Sequence, residues 1–323
     1  RGMIRNNRLF LTVSGGVLLL GLCAGVVAYY GGRSTIETPQ DRASDLEYLP
    51  AETTIVAYAD LRAVMNSRLR ERFRQVEPDS AVREEFEVQT GINLEADIDH
   101  VVAGFVPNAL EDDDESAVVL LRGRFDDEHL EALARQHGAE IEDLDGRSLL
   151  QIEEDGRPFA LAFVEPGLAM LGDLGLVRMA LESGAQSVTA NEDLMRLVQE
   201  MEPEFNAWAV GRLDSLTERA ELPPQVAAQL PALRHFAAGG RVNGGLSGVI
   251  RADASDEAAA QNLRDVLGGL MALARMQAGS RPVWQVALDS IQLGGTGTRV
   301  ALSFVIPDEL FEMLVPSEPP PGE

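Results

Sequence analysis

The residue types that most often do chemistry are few in this chain and poorly spaced for it. Its four histidines are His100, His129, His137 and His235. A helical zinc site needs two imidazoles at i and i+4, so that both lie on one face, and no such pair occurs. His129 and His137 stand eight apart, roughly 80° off a shared helical face, which suits two exposed positions. His100 and His235 occupy matching places in an internal repeat and are the one pair a pseudo-twofold can bring to a metal, although duplication alone also accounts for them. Glu111, Asp112, Asp113, Asp114 and Glu115 are five successive carboxylates. They lack the DxDxDG spacing and glycine turn of a formed calcium loop. A solvated hairpin tip that contacts a basic partner is the expectation.

Nucleophile and nucleotide motifs fail on single positions. Gly245-Leu246-Ser247-Gly248 is followed by Val249, where a nucleophile elbow needs its last glycine. Gly294-Gly295-Thr296-Gly297 lacks the third glycine and the following helix of a dinucleotide fingerprint. Both read as turns. Asp60 and Asp214 are carboxylates that a hydrolase can use, but each stands where a helix cap is expected. Cys23 is the single cysteine, so neither an internal disulfide framework nor a Cys-rich metal site can form. No catalytic, cofactor-binding or metal-binding residue is assigned.

Charge narrows the partners. The 323 residues carry 27 Lys plus Arg against 52 Asp plus Glu, a formal net of −25. A surface of that sign repels phosphates and anionic lipid heads, so nucleic acid is not an expected partner. The 45% hydrophobic content is that of a chain with a substantial core.

Those residues must be positioned by the following elements. Leu9 to Tyr30 contains no charge, and 22 residues of helix cover about 33 Å, enough for a bilayer core. Arg1, Arg5 and Arg8 precede it, whereas Glu37, Asp41 and Asp45 follow, which orients the N-terminus inside and the rest outside. Gly21, Gly25 and Ala28 leave a shallow patch where a neighbouring helix can pack. Residues 31–48 read as a polar linker. Beyond them, Thr53 to Ala59 is a strand, Asp60 caps a helix, Val101 to Val106 and Ala117 to Arg124 are strands, and Asp126 caps a helix through Gln136. Asp145-Gly146 and Asp155-Gly156 are hairpin turns. His100 to Gly104 aligns on His235 to Gly239, and Leu121 to Glu128 on Ile250 to Glu257, so the second half repeats the first.

The expected fold class is therefore α+β. A tail (1–8) leads into a single transmembrane helix (9–30) and a linker (31–48). Two diverged ferredoxin-like βαββαβ repeats with antiparallel sheets (49–205 and 206–315) and a Pro-rich tail (316–323) follow.

Leu49-Pro50-Ala51-Glu52-Thr53-Thr54-Ile55-Val56-Ala57-Tyr58-Ala59-Asp60, with Thr90-Gly91-Ile92-Asn93 and Asp97-Ile98-Asp99 downstream, resembles uncharacterised membrane-anchored extracytoplasmic proteins of high-GC bacteria such as Acidobacteria. That resemblance implies a noncatalytic envelope domain. The leading expectation is a noncatalytic, single-pass accessory subunit of a larger inner-membrane assembly, its main domain periplasmic. Its partners are then other membrane subunits through the helix, and a basic protein on the acidic face, as in a respiratory or photosynthetic complex. The rival is a free-standing envelope binding protein with a small-ligand cleft between the repeats.

Overall fold

A computed structural model describes residues 44–65, 87–88, 90–93, 96–107, 116–136, 138–154, 157–182, 185–212, 233–242, 245–278 and 282–307. The chain divides into two compact units, the first ending at Gly211 and the second beginning at Arg212.

The first unit is dominated by antiparallel strands: β1 (Ile55–Asp60), β2 (Ile98–Val106), β3 (Ser116–Gly123), β4 (Glu140–Leu144), β5 (Arg147–Glu154), β6 (Arg157–Glu165), β7 (Leu168–Asp173) and β8 (Ala207–Arg212). They lie in the order β8-β1-β2-β3-β7-β6-β5-β4. Four helices accompany them: α1 (Leu61–Met65), α2 (Asp127–Gln136), α3 (Leu174–Leu181) and α4 (Glu192–Met201). Local chemistry sets many of the boundaries. Asp60 accepts from the Ala63 amide at 2.7 Å, Asp126 from the His129 amide at 3.0 Å, and Asn191 from the Leu194 amide at 3.1 Å, each satisfying an amide that has no partner within its helix. Asp145 and Gly146 both have positive φ, 53° and 81°, the conformation of the tight turn that matches strand twist between β4 and β5.

The register explains the core. Trp208, Tyr58, Val102, Leu120, Met170, Ala162 and Leu149 stand opposite one another across seven strands, and all are buried. Because strand side chains alternate faces, residues two along share that face. Val210, Val56, Gly104, Val118, Gly172 and Ala160 form one neighbouring row. Asp60, His100, Arg122 and Leu168 form the other. Gly104 has no side chain, and a Cβ there would come within 2.9 Å of Leu49, which fills the space. Helix α3 packs on β3, β6 and β7, burying Leu176, Val177 and Leu181, each fully buried side chain contributing about 1.5–3 kcal/mol.

The second unit contains β9 (Leu233–Val242), β10 (Gly245–Ala254), β11 (Gln292–Gly294) and β12 (Arg299–Pro307), ordered β11-β12-β10-β9, with helices α5 (Glu257–Ala278) and α6 (Pro282–Asp289). The Gly294–Gly297 cluster is the β11–β12 turn, where Gly295 and Gly297 have φ of 98° and 61°, a conformation that favours glycine.

Two expectations are corrected. The chain does not build two βαββαβ repeats. After α2 the first unit runs through four consecutive strands, β4 to β7, before another helix. The second places its two helices consecutively between β10 and β11. Helix–strand alternation, which the ferredoxin-like pattern requires, is replaced by hairpins, so the α+β repeat reading gives way to a mostly antiparallel sheet. The ligand cleft between repeats loses its premise with it. The membrane-spanning, single-pass reading is corrected too: among the described residues no helix is long and apolar enough to cross a membrane. Residues 9–30, with Gly21, Gly25 and Ala28, lie outside the described residues.

One glycine tests the β2–β3 register. A Cβ on Gly123 would fall 2.2 Å from the Asp97 carbonyl oxygen, a backbone atom that cannot swing aside. Gly123→Ala should lower stability by roughly 1–3 kcal/mol, as overpacking does, read as an earlier midpoint in urea. A midpoint equal to wild type would contradict this register.

Candidate functional site

The row Asp60–His100–Arg122–Leu168 places an imidazole and a guanidinium on the face that otherwise buries Tyr58, Val102, Leu120 and Met170. Burying such groups is costly unless they are paired. The partner comes from the opposite side of the layer. Ser44 and Asp45 lead into a single 3-10 turn, Leu46–Tyr48, laid over the sheet. The Asp45 carboxylate has no solvent exposure, and its Oδ2 lies 2.6 Å from His100 Nε2. Arg122 donates to both oxygens, through Nη2 to Oδ1 and through Nε to Oδ2, the latter at 3.3 Å. The same Nη2 donates to Glu165 Oε1 at 2.8 Å. Glu165 is partly open to water.

Burial alone pushes the Asp45 carboxyl upward, but hydrogen bonds from His100 and Arg122, with their charges, outweigh it and hold the group below its usual value of 3.8. Burial disfavours the charged Arg122, yet its bonds to Asp45 and Glu165 dominate and hold its proton more firmly than usual. At the edge of the cluster the Tyr48 hydroxyl is pushed up, first by burial and then by the nearby Glu165 charge.

The Tyr58 ring bridges this cluster to the apolar core. Its centroid is 5.5 Å from that of His100, tilted by 41°, and 5.5 Å from that of Trp208, stacked within 21°. The Trp208 Nε1 donor is buried without a hydrogen-bond partner. Chemically, a carboxylate on an imidazole is the pair that orients a general base. Here His100 is only 1% exposed and Asp45 not at all, so the pair is sealed between the sheet and the segment that covers it.

What the cluster does hold is that segment. Leu49 is fully buried, Pro50 bridges Ser187, Ala51 donates to the Gln186 carbonyl at 3.2 Å, and the Val188 amide donates to the Leu49 carbonyl at 2.9 Å. The Leu46–Tyr48 turn packs on a second 3-10 turn, Val188–Ala190. Asp45 thus clips residues 44–51 over β2 and β3, and through Val188–Ala190 the clip reaches the start of α4.

The residues singled out from the sequence fall elsewhere. Glu111, Asp112, Asp113, Asp114 and Glu115 lie outside the described residues, as do His137 and Asp214. His129 is an exposed residue of α2. His100 is engaged with Asp45, and His235 lies on β9 of the second unit. Among the described residues no group of three or more His, Cys, Asp or Glu is placed to hold a metal. Ser247 lies within β10, paired with Arg241 and Val305, rather than on the sharp strand-to-helix turn of a nucleophile elbow. Asp45 had been assigned to the linker. The missed signal was in the strands: His100 and Arg122 share parity with the buried positions of β2 and β3, which calls for a buried acid, but nothing local identifies one 55 residues upstream.

Comparison with known proteins adds little. No family model matches the chain, and no curated protein matches it. Among solved structures, one titled "Structure of crystal form I of TP0453" is similar at a TM-score of 0.48 and 7% identity, over 87% of this chain and 98% of that one. A likeness at that level carries no argument.

Asp45→Asn removes the charge that both cations share. At neutral pH it should cost roughly 3–5 kcal/mol, as breaking a buried ion pair does. The folded carboxyl titrates below 3.8, so its contribution is complete above that value and disappears as pH falls through the depressed one. The stability gap between wild type and Asp45→Asn should therefore be full at about pH 6 and narrow below about pH 4, followed by urea unfolding across pH. A gap that stays constant would show that the carboxylate charge is not what holds the segment.

Proposed function

We propose that this chain is a noncatalytic accessory protein that acts by protein–protein contact, its first unit presenting an acidic face to a basic partner. The observation that carries the reading is the distribution of charge. Residues 43–211 contain 13 Arg and 37 Asp or Glu, a net of −24, which is nearly all of the −25 of the whole chain. Such a charge on one unit steers an oppositely charged partner and fixes its orientation more than it adds affinity. The state of the buried polar cluster is consistent with this: Asp45, His100 and Arg122 satisfy one another beneath a structural segment. Basic electron carriers of a bioenergetic assembly are one partner class that an acidic face of this kind suits.

The reading predicts a salt-labile complex. Chemical crosslinking of the tagged full chain in its native cells, followed by mass spectrometry, should recover a stoichiometric partner with a basic contact surface. Without crosslinking, that partner should be retained at low salt and released at about 0.5 M, where charges more than roughly 4–5 Å apart are largely screened. Recovery of the chain alone in both experiments would overturn the proposal.

A further inference from the structure

The second unit departs from the charge pattern of the first. Residues 222–307 carry seven Arg and five Asp or Glu, a slightly positive stretch in a strongly negative chain. Within it, helix α5 changes character along its length. Its N-terminal half packs Ala260, Leu263 and Leu267 against Ala254, Val300 and Leu293. Its C-terminal half leaves Leu270, Leu273 and Met276 exposed at 57%, 46% and 73%, and Val286 on α6 is 46% exposed. These are four of the nine large apolar residues exposed in the described chain. No acid occurs between Asp265 and Asp289.

We propose that this α5–α6 hairpin is the surface through which two copies of the chain associate about a twofold axis. A concentrated apolar patch on a helical hairpin marks an interaction site, and charge selects the occupant. Two chains of −25 repel wherever their acidic surfaces meet, and the sign is equally unfavourable for an anionic lipid surface. At the hairpin, apolar side chains are exposed with no carboxylate among them, so two copies can bury them without bringing acids together. Gly269 is exposed, and a Cβ there would meet nothing within 4 Å, which lets a facing helix come close. The patch is also self-complementary. Arg275 and Asp289 form a loose, exposed pair at 3.7 Å, and across a twofold each Arg275 can turn to the Asp289 of the other copy.

The test is the mass of the purified full-length chain by light scattering over a range of concentrations. Wild type should approach twice the monomer mass. The double variant Leu273→Glu, Met276→Glu should stay monomeric, while Ile250→Glu, which alters an exposed apolar residue on β10, should still dimerise. A dimer that survives the double variant would place the contact elsewhere, for example in residues 9–30, and overturn the proposal. A wild-type monomer at every concentration would overturn it as well, as would a monomer that floats with phosphatidylglycerol vesicles through the same side chains. A second measurement leaves the patch intact should the double variant not fold. In a Cys23→Ser background, Ala272→Cys should crosslink to a disulfide dimer on mild oxidation. Ala258→Cys, on the same helix about 21 Å away, should not.

Discussion

The Asp45 carboxylate, shut away from water between His100 and Arg122, is the interaction on which the arrangement of the first unit turns. A lone carboxylate in that position would cost several kcal/mol to desolvate, and so would each of its partners. Together the three satisfy one another, with Glu165 taking the remaining guanidinium bond toward solvent. The pairing joins segments far apart in the chain: Asp45 lies 55 residues from His100 and 77 from Arg122. It therefore acts as a clip, setting Leu49 over Gly104 and tying residues 44–51 to the Val188–Ala190 turn. Apolar packing alone could seat Leu49. The charged cluster adds direction, because only one placement of the turn gives Asp45 both donors.

Around that clip the sheet obeys the period-2 rule. A row of seven buried residues from Trp208 to Leu149 crosses the unit, and the polar row beside it lies on the same face. The cluster is thus an interruption of the core and not a lining of the surface. The acids of the first unit, Asp45 apart, lie largely where strands and helices meet water, and there they give the unit the charge by which it can recognise a partner. The two units thus divide the surface chemistry, with carboxylates concentrated on the first and an uncharged apolar stripe left exposed on the second.

Some of the fold was legible because its causes are local. Asp60 and Asp126 cap helices through amides three residues on, and Asp145-Gly146 turns a hairpin through its own backbone angles. The β-branched residues of β1 and the apolar run of β2 announce strands without help from elsewhere. The repeat was misread because short similarities at strand starts were taken for shared topology. Matching strand sequences does not determine what lies between them, and in the first unit that is a run of hairpins from β4 to β7. Reading residues 31–48 as linker concealed Asp45, since a polar segment with no apolar period looks the same whether it is solvated or clipped onto a sheet.

The sequence by itself determined the charge of the chain, the capping and turn residues and the strand-forming segments, because each depends on a residue's identity or on neighbours within a few positions. Tertiary structure alone decided the strand order, the burial of His100 and Arg122, their pairing with Asp45 and the exposure of Leu270, Leu273 and Met276. These depend on which distant surfaces meet. A histidine on an apolar strand face requires a partner somewhere in the fold, and only the folding of the chain brings a particular carboxylate to it.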